Sequence, residues 1–419
     1  MSLPEQFSAL VQQHLHDDVQ QLALQRNRFP QLSDADFRFL LQQVEGRQRT
    51  AAKLPTLATL ADWWYPVRLS CEQCSSEATA NYKAALIRRL GDEVKGESLG
   101  RLVDLTSGYG IDLFYMSECV SQAHYVERNA ELCAIAQHNF ALYRPHIQVH
   151  NTTAEDFLSS LPISDTPYPL PNSAASHTLI YLDPARRSQS GGKVFRIEDC
   201  EPNVLALLPT LRAKARRVMI KFSPMLDTTA ALRAMSGDWD THIVAVNNEV
   251  KEVLFLTGQG ATYAVNICAT HTDVFRFSEA EERAAQVRLA TGVQQYIYEP
   301  NAAIIKAGAY RLISERYGLS KLDTNTHLYT SDTLLPDFPG RIWQVLDAEI
   351  KDPKKQLLSS VRYSILSRNY PLSPDQIRKK YKLRDGDDQY ILAARLQGKP
   401  LLISAKRLMF SERAGGATV

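Results

Sequence analysis

The sequence lacks long apolar runs and is poor in cysteine. No run of eighteen apolar residues occurs among its 419 residues, so no membrane-spanning helix is expected. Its first residues, MSLPEQFSALVQQHLHDD, contain no basic start followed by an apolar core, which argues against a secretion signal. The six cysteines are too few and too scattered for a disulfide framework. These absences predict a protein of the reducing cytoplasm.

The amino-terminal part is expected to be helical. Apolar residues recur at three- and four-residue steps from Leu10 to Leu22, and the stretch SDAD at 33–36 is typical of a helix start. A further amphipathic helix is predicted to begin near Ser75. We therefore predict a helical module over residues 1–75, in a chain long enough for about two to four domains.

Residues 76–268 alternate short apolar or β-branched runs with helix-length segments. The runs are RLVDL, AHYVE, IQVHN, HTLIYLD, RRVMIKF, HIVAVN and EVLFLT. The first five predict a parallel, doubly wound α/β sheet, whereas the last two predict a hairpin at the sheet edge. This seven-stranded pattern resembles the Rossmann-like sheet of class I S-adenosylmethionine-dependent methyltransferases. Small α/β domains are expected over residues 269–340 and 341–419.

The segment DLTSGYG joins the first predicted strand to a helix. Asp104 ends the strand, and Gly108 and Gly110 permit a tight turn and a close approach to a ligand. The third glycine of a dinucleotide-binding loop is missing, because its position holds Leu113. This favours S-adenosylmethionine over NAD as cofactor. Glu127, 19 residues after Gly108, is placed to accept hydrogen bonds from both ribose hydroxyls.

The stretch NTTAEDF, after the third strand, is expected to contact adenine. Many methyltransferases carry an acid before the alanine, but this chain has Thr153. We therefore assign the adenine contact to the Ala154 backbone or to Asp156. The predicted cofactor-binding residues are Asp104, Gly108, Gly110, Glu127, Ala154 and Asp156.

Asp183 follows the fourth strand, at the edge where open α/β sheets place their chemistry. Two acceptor types lose support there because the residues they need are missing. Methylation of an exocyclic adenine nitrogen usually uses an aromatic residue that stacks on the flipped base, but the sequence after Asp183 is Pro-Ala-Arg. The fifth strand offers Lys221 and Ser223 instead of the cysteine nucleophile needed for carbon-5 pyrimidine methylation.

Four residues fit a Lys-Asp-Lys-Glu pattern. Ribose 2′-O-methyltransferases similar to the heat-shock-induced ribosomal RNA enzyme use such a set, and the corresponding positions here are Lys83, Asp183, Lys221 and Glu252. A ribose hydroxyl is a poor nucleophile, so a lysine with a lowered pKa could deprotonate it while the carboxylates orient that lysine. Each residue also has a structural explanation, as a phosphate contact, a surface lysine or an edge-strand acid.

The distribution of charge predicts an anionic partner. Residues 341–419 contain 16 Lys and Arg against 8 Asp and Glu, whereas residues 1–340 contain 32 against 38. We expect this partner to be RNA, although a solvated basic face is the alternative. No metal is expected, because Cys71-x-x-Cys74 has no second ligand pair. The predicted phosphate-binding residues are Arg186, Arg187, Lys193, Lys379, Lys380, Lys382 and Arg384.

Several motifs together resemble an uncharacterised bacterial group of class I methyltransferases. They are EQCSSEATANYKA, DLTSGYGID, LDPARRS, NNEVKEV, YEPNAAIIKAGAY, NTHLYTSD and DFPGR. The resemblance implies a methyltransferase domain over 76–268, a ferredoxin-like module over 269–340, and a THUMP-like domain over 341–419 that binds structured transfer or ribosomal RNA. It implies no acceptor atom or oligomeric state. Besides ribose methylation, three alternatives stay open: base-nitrogen methylation of RNA, a non-catalytic RNA-binding or assembly factor, and a small-molecule methyltransferase.

Overall fold

The computed structural model of the protein shows two compact units. The structure describes residues 5–92, 99–161, 178–186, 197–358 and 360–410. The first unit comprises residues up to 237 together with residues 253–257. The second comprises residues 238–252 and the chain from residue 258 onward. No helix among the described residues is long and apolar enough to cross a membrane.

The first unit begins with short helices that pack on one another. Ser33 caps the longest of them by accepting a hydrogen bond from the Asp36 backbone N–H at 3.1 Å, which confirms the predicted helix start. Apolar side chains of these helices form a buried cluster that includes Phe7, Leu22 and Phe37. The helices are α1 (Glu5–Gln13), α2 (Val19–Ala23), α3 (Asp34–Thr50), α4 (Pro55–Ala58) and α5 (Arg68–Gln73).

A tryptophan pair attaches this helical segment to the rest of the first unit. The Trp63 indole N–H donates to the Tyr109 hydroxyl at 2.6 Å, next to the glycine loop. The Trp64 backbone N–H donates to Asn139 Oδ1 at 2.8 Å, and the Trp64 ring stacks on His138. These contacts hold the helical segment against elements that carry the loop.

The sheet of the first unit has the predicted doubly wound topology. The strands are β1 (Arg101–Asp104), β2 (Gln122–Glu127), β3 (Ile147–Asn151), β4 (Thr178–Leu182), β5 (Ala185–Arg186), β6 (Cys200–Glu201) and β7 (Arg217–Phe222). The order in the sheet is β3–β2–β1–β4–β7, with all four pairings parallel, and Val253–Thr257 of β9 (Glu249–Thr257) pairs antiparallel with β7. The helices are α6 (Glu77–Asp92), α7 (Ile111–Met116), α8 (Ala130–Tyr143), α9 (Ala154–Ser160), α10 (Val204–Lys214) and α11 (Thr228–Met235).

This topology determines which side chains meet. The carboxyl ends of parallel strands lie at one edge of a sheet, which is where such folds bind their ligands. Asp104, Glu127 and Asp183 lie at or just after the ends of β1, β2 and β4, and Lys221 lies near the end of β7. The fold therefore brings these four residues to the same edge.

The second unit begins with an antiparallel hairpin. Its strand β8 (Trp239–Val246) is followed by a two-residue turn at Asn247 and Asn248, both with positive φ, and then by β9. The prediction that this hairpin lies at the sheet edge is wrong for β8. A strand missed in the sequence, β10 (Ala261–Ile267), pairs parallel with β8 and continues into an antiparallel partner, β11 (Thr272–Ser278).

The rest of the second unit contains a sheet in which the described residues form nine strands. Strand β16 (Gly340–Asp347) pairs with β13 (Tyr296–Pro300) on one side and with β20 (Lys399–Leu408) on the other. The segments predicted as two modules thus share one sheet. The other strands are β12 (Arg288–Leu289), β14 (Ser320–Asp323), β15 (Thr326–Ser331), β17 (Arg362–Ser367), β18 (Arg384–Asp385) and β19 (Gln389–Leu396). The helices are α12 (Glu279–Ala284), α13 (Ala302–Ala307), α14 (Leu312–Arg316), α15 (Pro353–Gln356) and α16 (Pro374–Tyr381).

Candidate active site

The loop between β1 and α7 depends on its two glycines. Gly108 and Gly110 have φ values of +52° and +83°, in the region that favours glycine. A Cβ atom at Gly110 would lie 2.8 Å from Phe140 Cζ, whereas a Cβ at Gly108 would meet no atom within 4 Å. The Tyr125 hydroxyl donates to the Gly108 carbonyl at 2.6 Å. At Gly110 the packing against Phe140 therefore excludes any side chain. At Gly108 the space above the loop is open.

Glu127 is held in place by backbone groups. One carboxylate oxygen accepts from the Gly108 N–H at 3.1 Å, and the other accepts from the Asn129 N–H at 2.8 Å. A carboxylate has about four acceptor positions, so capacity remains for a ligand. This contact explains the spacing of 19 residues noted in the sequence, because it brings the ends of β1 and β2 together.

Asp104 organises the start of the loop. Its carboxylate accepts from the Thr106 backbone N–H at 3.1 Å, and the side chain is buried. Burial raises the pKa of Asp104 well above its usual range, and the bond from Thr106 opposes this only in part. Asp104 therefore acts on the conformation of the loop rather than as an exposed anion.

A pocket of about 560 Å³ opens above the loop. This volume lies within the usual range for a small-molecule or cofactor site. Among the residues predicted to form the site, those that line the pocket are Asp104, Gly108, Gly110, Glu127, Ala154, Asp183 and Lys221. Asp156 does not line it; its carboxylate accepts from the Thr153 hydroxyl at 2.8 Å, at the start of α9. Thr153 and Glu155 line this side of the pocket instead.

A chain of alternating charges runs into one wall of the pocket. The Lys221 ammonium lies 2.6 Å from Asp183 Oδ2 and 3.4 Å from Asp112 Oδ2. The other oxygen of Asp112 lies 3.2 Å from the Lys83 ammonium. The structure thus brings together Lys83, Asp183 and Lys221 of the predicted Lys-Asp-Lys-Glu set, and it joins them through Asp112, an acid that the sequence did not single out.

Asp112 is the centre of this network. Its Oδ2 also accepts hydrogen bonds from the Ser75 hydroxyl at 2.8 Å and the Tyr181 hydroxyl at 2.7 Å. Burial alone would raise the pKa of Asp112, but the ammonium groups of Lys83 and Lys221 hold it well below the usual range. Asp112 is the second residue of α7, a helix in which every residue is buried, and no local pattern in the sequence marks its contacts.

The remaining predicted residues belong to the second unit or fall wholly or partly outside the described residues. Glu252 is buried in the part of β9 that belongs to the second unit. Arg187 and Lys193 fall outside the described residues, and only the backbone of Arg186 is described, in β5. The exposed residues Lys379, Lys380, Lys382 and Arg384 lie at the end of α16 and just after it. Thiol groups of Cys71 and Cys74 each donate to a backbone carbonyl.

Comparison with known proteins identifies the class of this site. Residues 296–339 match a ferredoxin-like domain family, and residues 340–407 match a family described as THUMP domain-like. An uncharacterised S-adenosylmethionine-dependent methyltransferase, found in two strains of Mycobacterium tuberculosis, is 25% identical over 371 residues. The match covers 85% of this chain and 92% of that protein.

A solved structure agrees with these relatives. A protein of Porphyromonas gingivalis W83, named as a candidate methyltransferase, is 29% identical with a TM-score of 0.83. The match covers 98% of this chain and all of that one. The chain is thus an S-adenosylmethionine-dependent methyltransferase. The class I fold, the cofactor and the resemblance predicted from the sequence are confirmed.

Proposed function

We propose that this methyltransferase acts on RNA and that its acceptor is a ribose 2′-hydroxyl. The observation that carries the proposal is the ion pair between Lys221 and Asp183, 2.6 Å long, in the wall of the pocket that the glycine loop opens. A carboxylate beside a fixed ammonium can orient a hydroxyl and take up its proton. The Lys-Asp-Lys-Glu pattern of the sequence supports the same acceptor.

The residues of the pocket fit S-adenosylmethionine. Glu127 would accept from the ribose hydroxyls, because both of its oxygens are already oriented by backbone N–H groups. Gly108 would allow close approach of the ligand, since no atom lies within 4 Å of the position of a Cβ there. Asp104 would hold the loop, and Ala154 would lie at the adenine end. The cofactor itself supplies an electrophilic methyl group.

Asp183 is the group that would meet the acceptor. Its backbone N–H donates to the Thr106 hydroxyl at 2.6 Å, which fixes the residue after β4, and its side chain remains partly exposed to the pocket. Lys221 would hold the carboxylate in its orientation through the ion pair. Because the hydroxyl loses its proton as the methyl group arrives, a nearby carboxylate is a suitable proton acceptor.

The acceptor atom is tested by mass spectrometry. RNA from cells that lack the protein is treated with the enzyme and labelled S-adenosylmethionine, and then digested to nucleosides. We expect the label in the ribose fragment, together with resistance to alkaline cleavage at that position. A label found on a base would contradict the ribose acceptor without affecting the cofactor assignment.

A methylated base nitrogen is the second candidate. One observation favours it: Lys83 is fully buried, and Lys221 is largely so, which leaves Asp183 as the most accessible member of the charge network. A single carboxylate can accept a hydrogen bond from an exocyclic amine. The same nucleoside analysis separates the two acceptors.

Loss of the Glu127 carboxylate should weaken cofactor binding. We expect Glu127→Ala to cost at least ~1.5 kcal/mol, or about tenfold in Kd, because charge-assisted hydrogen bonds are lost. Isothermal titration with S-adenosylmethionine measures this directly. The control is Glu131→Ala, an exposed acid in the first turn of α8 that does not line the pocket. Equal affinities of wild type and Glu127→Ala would remove Glu127 from the site.

The end of α16 is proposed to bind RNA phosphates. Two arginines of this region, Arg378 and Arg362, are paired with aspartates. The neighbouring cations Lys379, Lys380, Lys382 and Arg384 are all exposed within six residues. The THUMP-like match covers the same segment. Such a cluster can bind phosphate with release of counterions.

Neutralising this cluster should weaken RNA binding and its salt dependence. With all four residues changed to alanine, we expect at least a tenfold loss of affinity at low salt. The magnitude of the slope of log affinity against log salt should fall by about three, because each of the four lost phosphate contacts accounts for ~0.7–0.9. The control removes the same charge from the first unit, by changing the exposed arginines Arg28, Arg38, Arg49 and Arg68 to alanine. Equal losses in the two variants would indicate a general charge effect only.

Deleting residues 341–419 would be a less specific test. Strand β16 pairs with both β13 and β20, so its removal would expose the edge of β13 in the part of the sheet that remains. Loss of activity after such a deletion could follow from misfolding alone. The charge variants avoid this problem because their side chains are exposed.

A further inference from the structure

The charge network becomes steadily more buried away from the pocket. The exposed fraction of the side chain is 37% for Asp183, 11% for Lys221, 9% for Asp112 and 0% for Lys83. Asp183, Lys221 and Asp112 line the pocket, whereas Lys83 is not among its described lining residues. The order of burial matches the order of contacts, from the pocket to the interior.

We propose that Asp112 and Lys83 are positioning residues that act through Lys221 on Asp183. Lys83 is then the counter-ion of Asp112 and touches no reacting atom. The inference rests on the proposed function in one respect, namely that Asp183 meets the acceptor. The sequence pattern would allow Lys83 to deprotonate the ribose hydroxyl, whereas this inference gives Lys83 a positioning role.

The geometry around Lys221 supports this role. Its ammonium group donates to Ser75 Oγ at 2.9 Å and lies 2.6 and 3.4 Å from Asp183 and Asp112. An ammonium group has three donors, so these three oxygens together define its orientation. The orientation of Lys221 in turn determines where the Asp183 carboxylate points.

Asp112 is itself fixed from several directions. Tyr181 on β4 and Ser75, which lies just before α6, both donate to its Oδ2, and Lys83 on α6 lies against its Oδ1. The buried Asp112 carboxylate needs a positive charge beside it, because the cost of burying an unpaired ion is several kcal/mol. Lys83 meets this need without access to the pocket.

The test is a double-mutant cycle with Lys83→Met, Asp112→Asn and the double variant. Thermal unfolding and single-turnover methyl transfer to RNA are measured for each, together with S-adenosylmethionine affinity. We expect each single change to lower the unfolding temperature and to slow transfer by about 10- to 100-fold, because each removes one charge of the buried Lys83–Asp112 ion pair. The double variant should unfold at a higher temperature than Lys83→Met and keep at least about one tenth of the wild-type transfer rate.

A different result would assign Lys83 to the reaction. If Lys83 takes the acceptor proton, transfer should fall by about 10³-fold in Lys83→Met and should not recover in the double variant. Additive losses of unfolding temperature would also overturn the proposal. If Lys83→Met does not fold, the inference still predicts that the double variant folds. A double variant that also fails to fold would contradict the inference.

Lys214→Met provides a matched control. Lys214 is also a buried lysine of the first unit, but its ammonium donates to the backbone carbonyls of Leu158, Ser159 and Leu161. Adding Asp112→Asn to Lys214→Met should give additive losses of stability. If the wild-type protein transfers no methyl group to any RNA, the proposed function fails, while the unfolding measurements still decide whether Lys83 and Asp112 are coupled.

Discussion

Asp183→Asn is expected to lower the rate of methyl transfer by about 10³-fold while S-adenosylmethionine binds with nearly unchanged affinity. The substitution keeps the size of the side chain and removes its negative charge. The amide cannot take up a proton from the acceptor, and it no longer forms an ion pair with the Lys221 ammonium 2.6 Å away. General-base groups typically contribute about 10²- to 10⁴-fold to a rate, which sets the expected size.

Single-turnover transfer and isothermal titration together check this expectation. Unchanged cofactor affinity serves as the internal control, because it shows that the glycine loop and Glu127 are intact. Transfer at the wild-type rate by the Asp183→Asn variant would remove Asp183 from catalysis. A parallel loss of cofactor affinity would instead indicate that Asp183 acts mainly on the shape of the pocket.

The parts of the site that could be predicted are those encoded within a few residues. Gly108 and Gly110 were found because positive φ values at a strand-to-helix turn require glycine. Glu127 followed from its spacing, since the strand after such a turn returns to the same sheet edge. The bond from the Gly108 N–H to Glu127 shows the physical reason for that spacing.

Asp112 could not be predicted in the same way. An acid in the first turn of a helix is common, because it interacts favourably with the helix dipole. Its importance comes from Lys221, which lies 109 residues later in the chain, and from Lys83 on a different helix. Such long-range contacts leave no local pattern in the sequence.

Strand β10 was missed for a related reason. Its sequence, ATYAVNI, contains alanine and asparagine and has no clear alternation of apolar and polar residues. Its partner β8 lies parallel to it, with the hairpin strand β9 between them in sequence. Parallel pairing of this kind depends on tertiary packing more than on local propensity.

Lys221→Met is expected to have the second large effect, because it removes the cation that links two carboxylates. Asp112 would keep only Lys83 as a charged neighbour among the contacts described above, and Asp183 would lose its ion pair. Removing one partner of a buried ion pair typically costs about 3–5 kcal/mol of the free energy of unfolding. Methyl transfer should fall by at least about 10²-fold, since Asp183 is then neither oriented nor compensated.

The comparison with Lys214→Met separates these two effects. Both changes remove a buried ammonium group from the first unit and replace it with an unbranched apolar side chain. Lys214 contacts backbone carbonyls near the end of α9 and does not line the pocket, so its loss should lower stability but leave transfer per folded molecule near the wild-type rate. Equal losses of transfer in the two variants, at matched fractions of folded protein, would mean that Lys221 contributes only to folding. A selective loss in Lys221→Met would place its charge in the reaction.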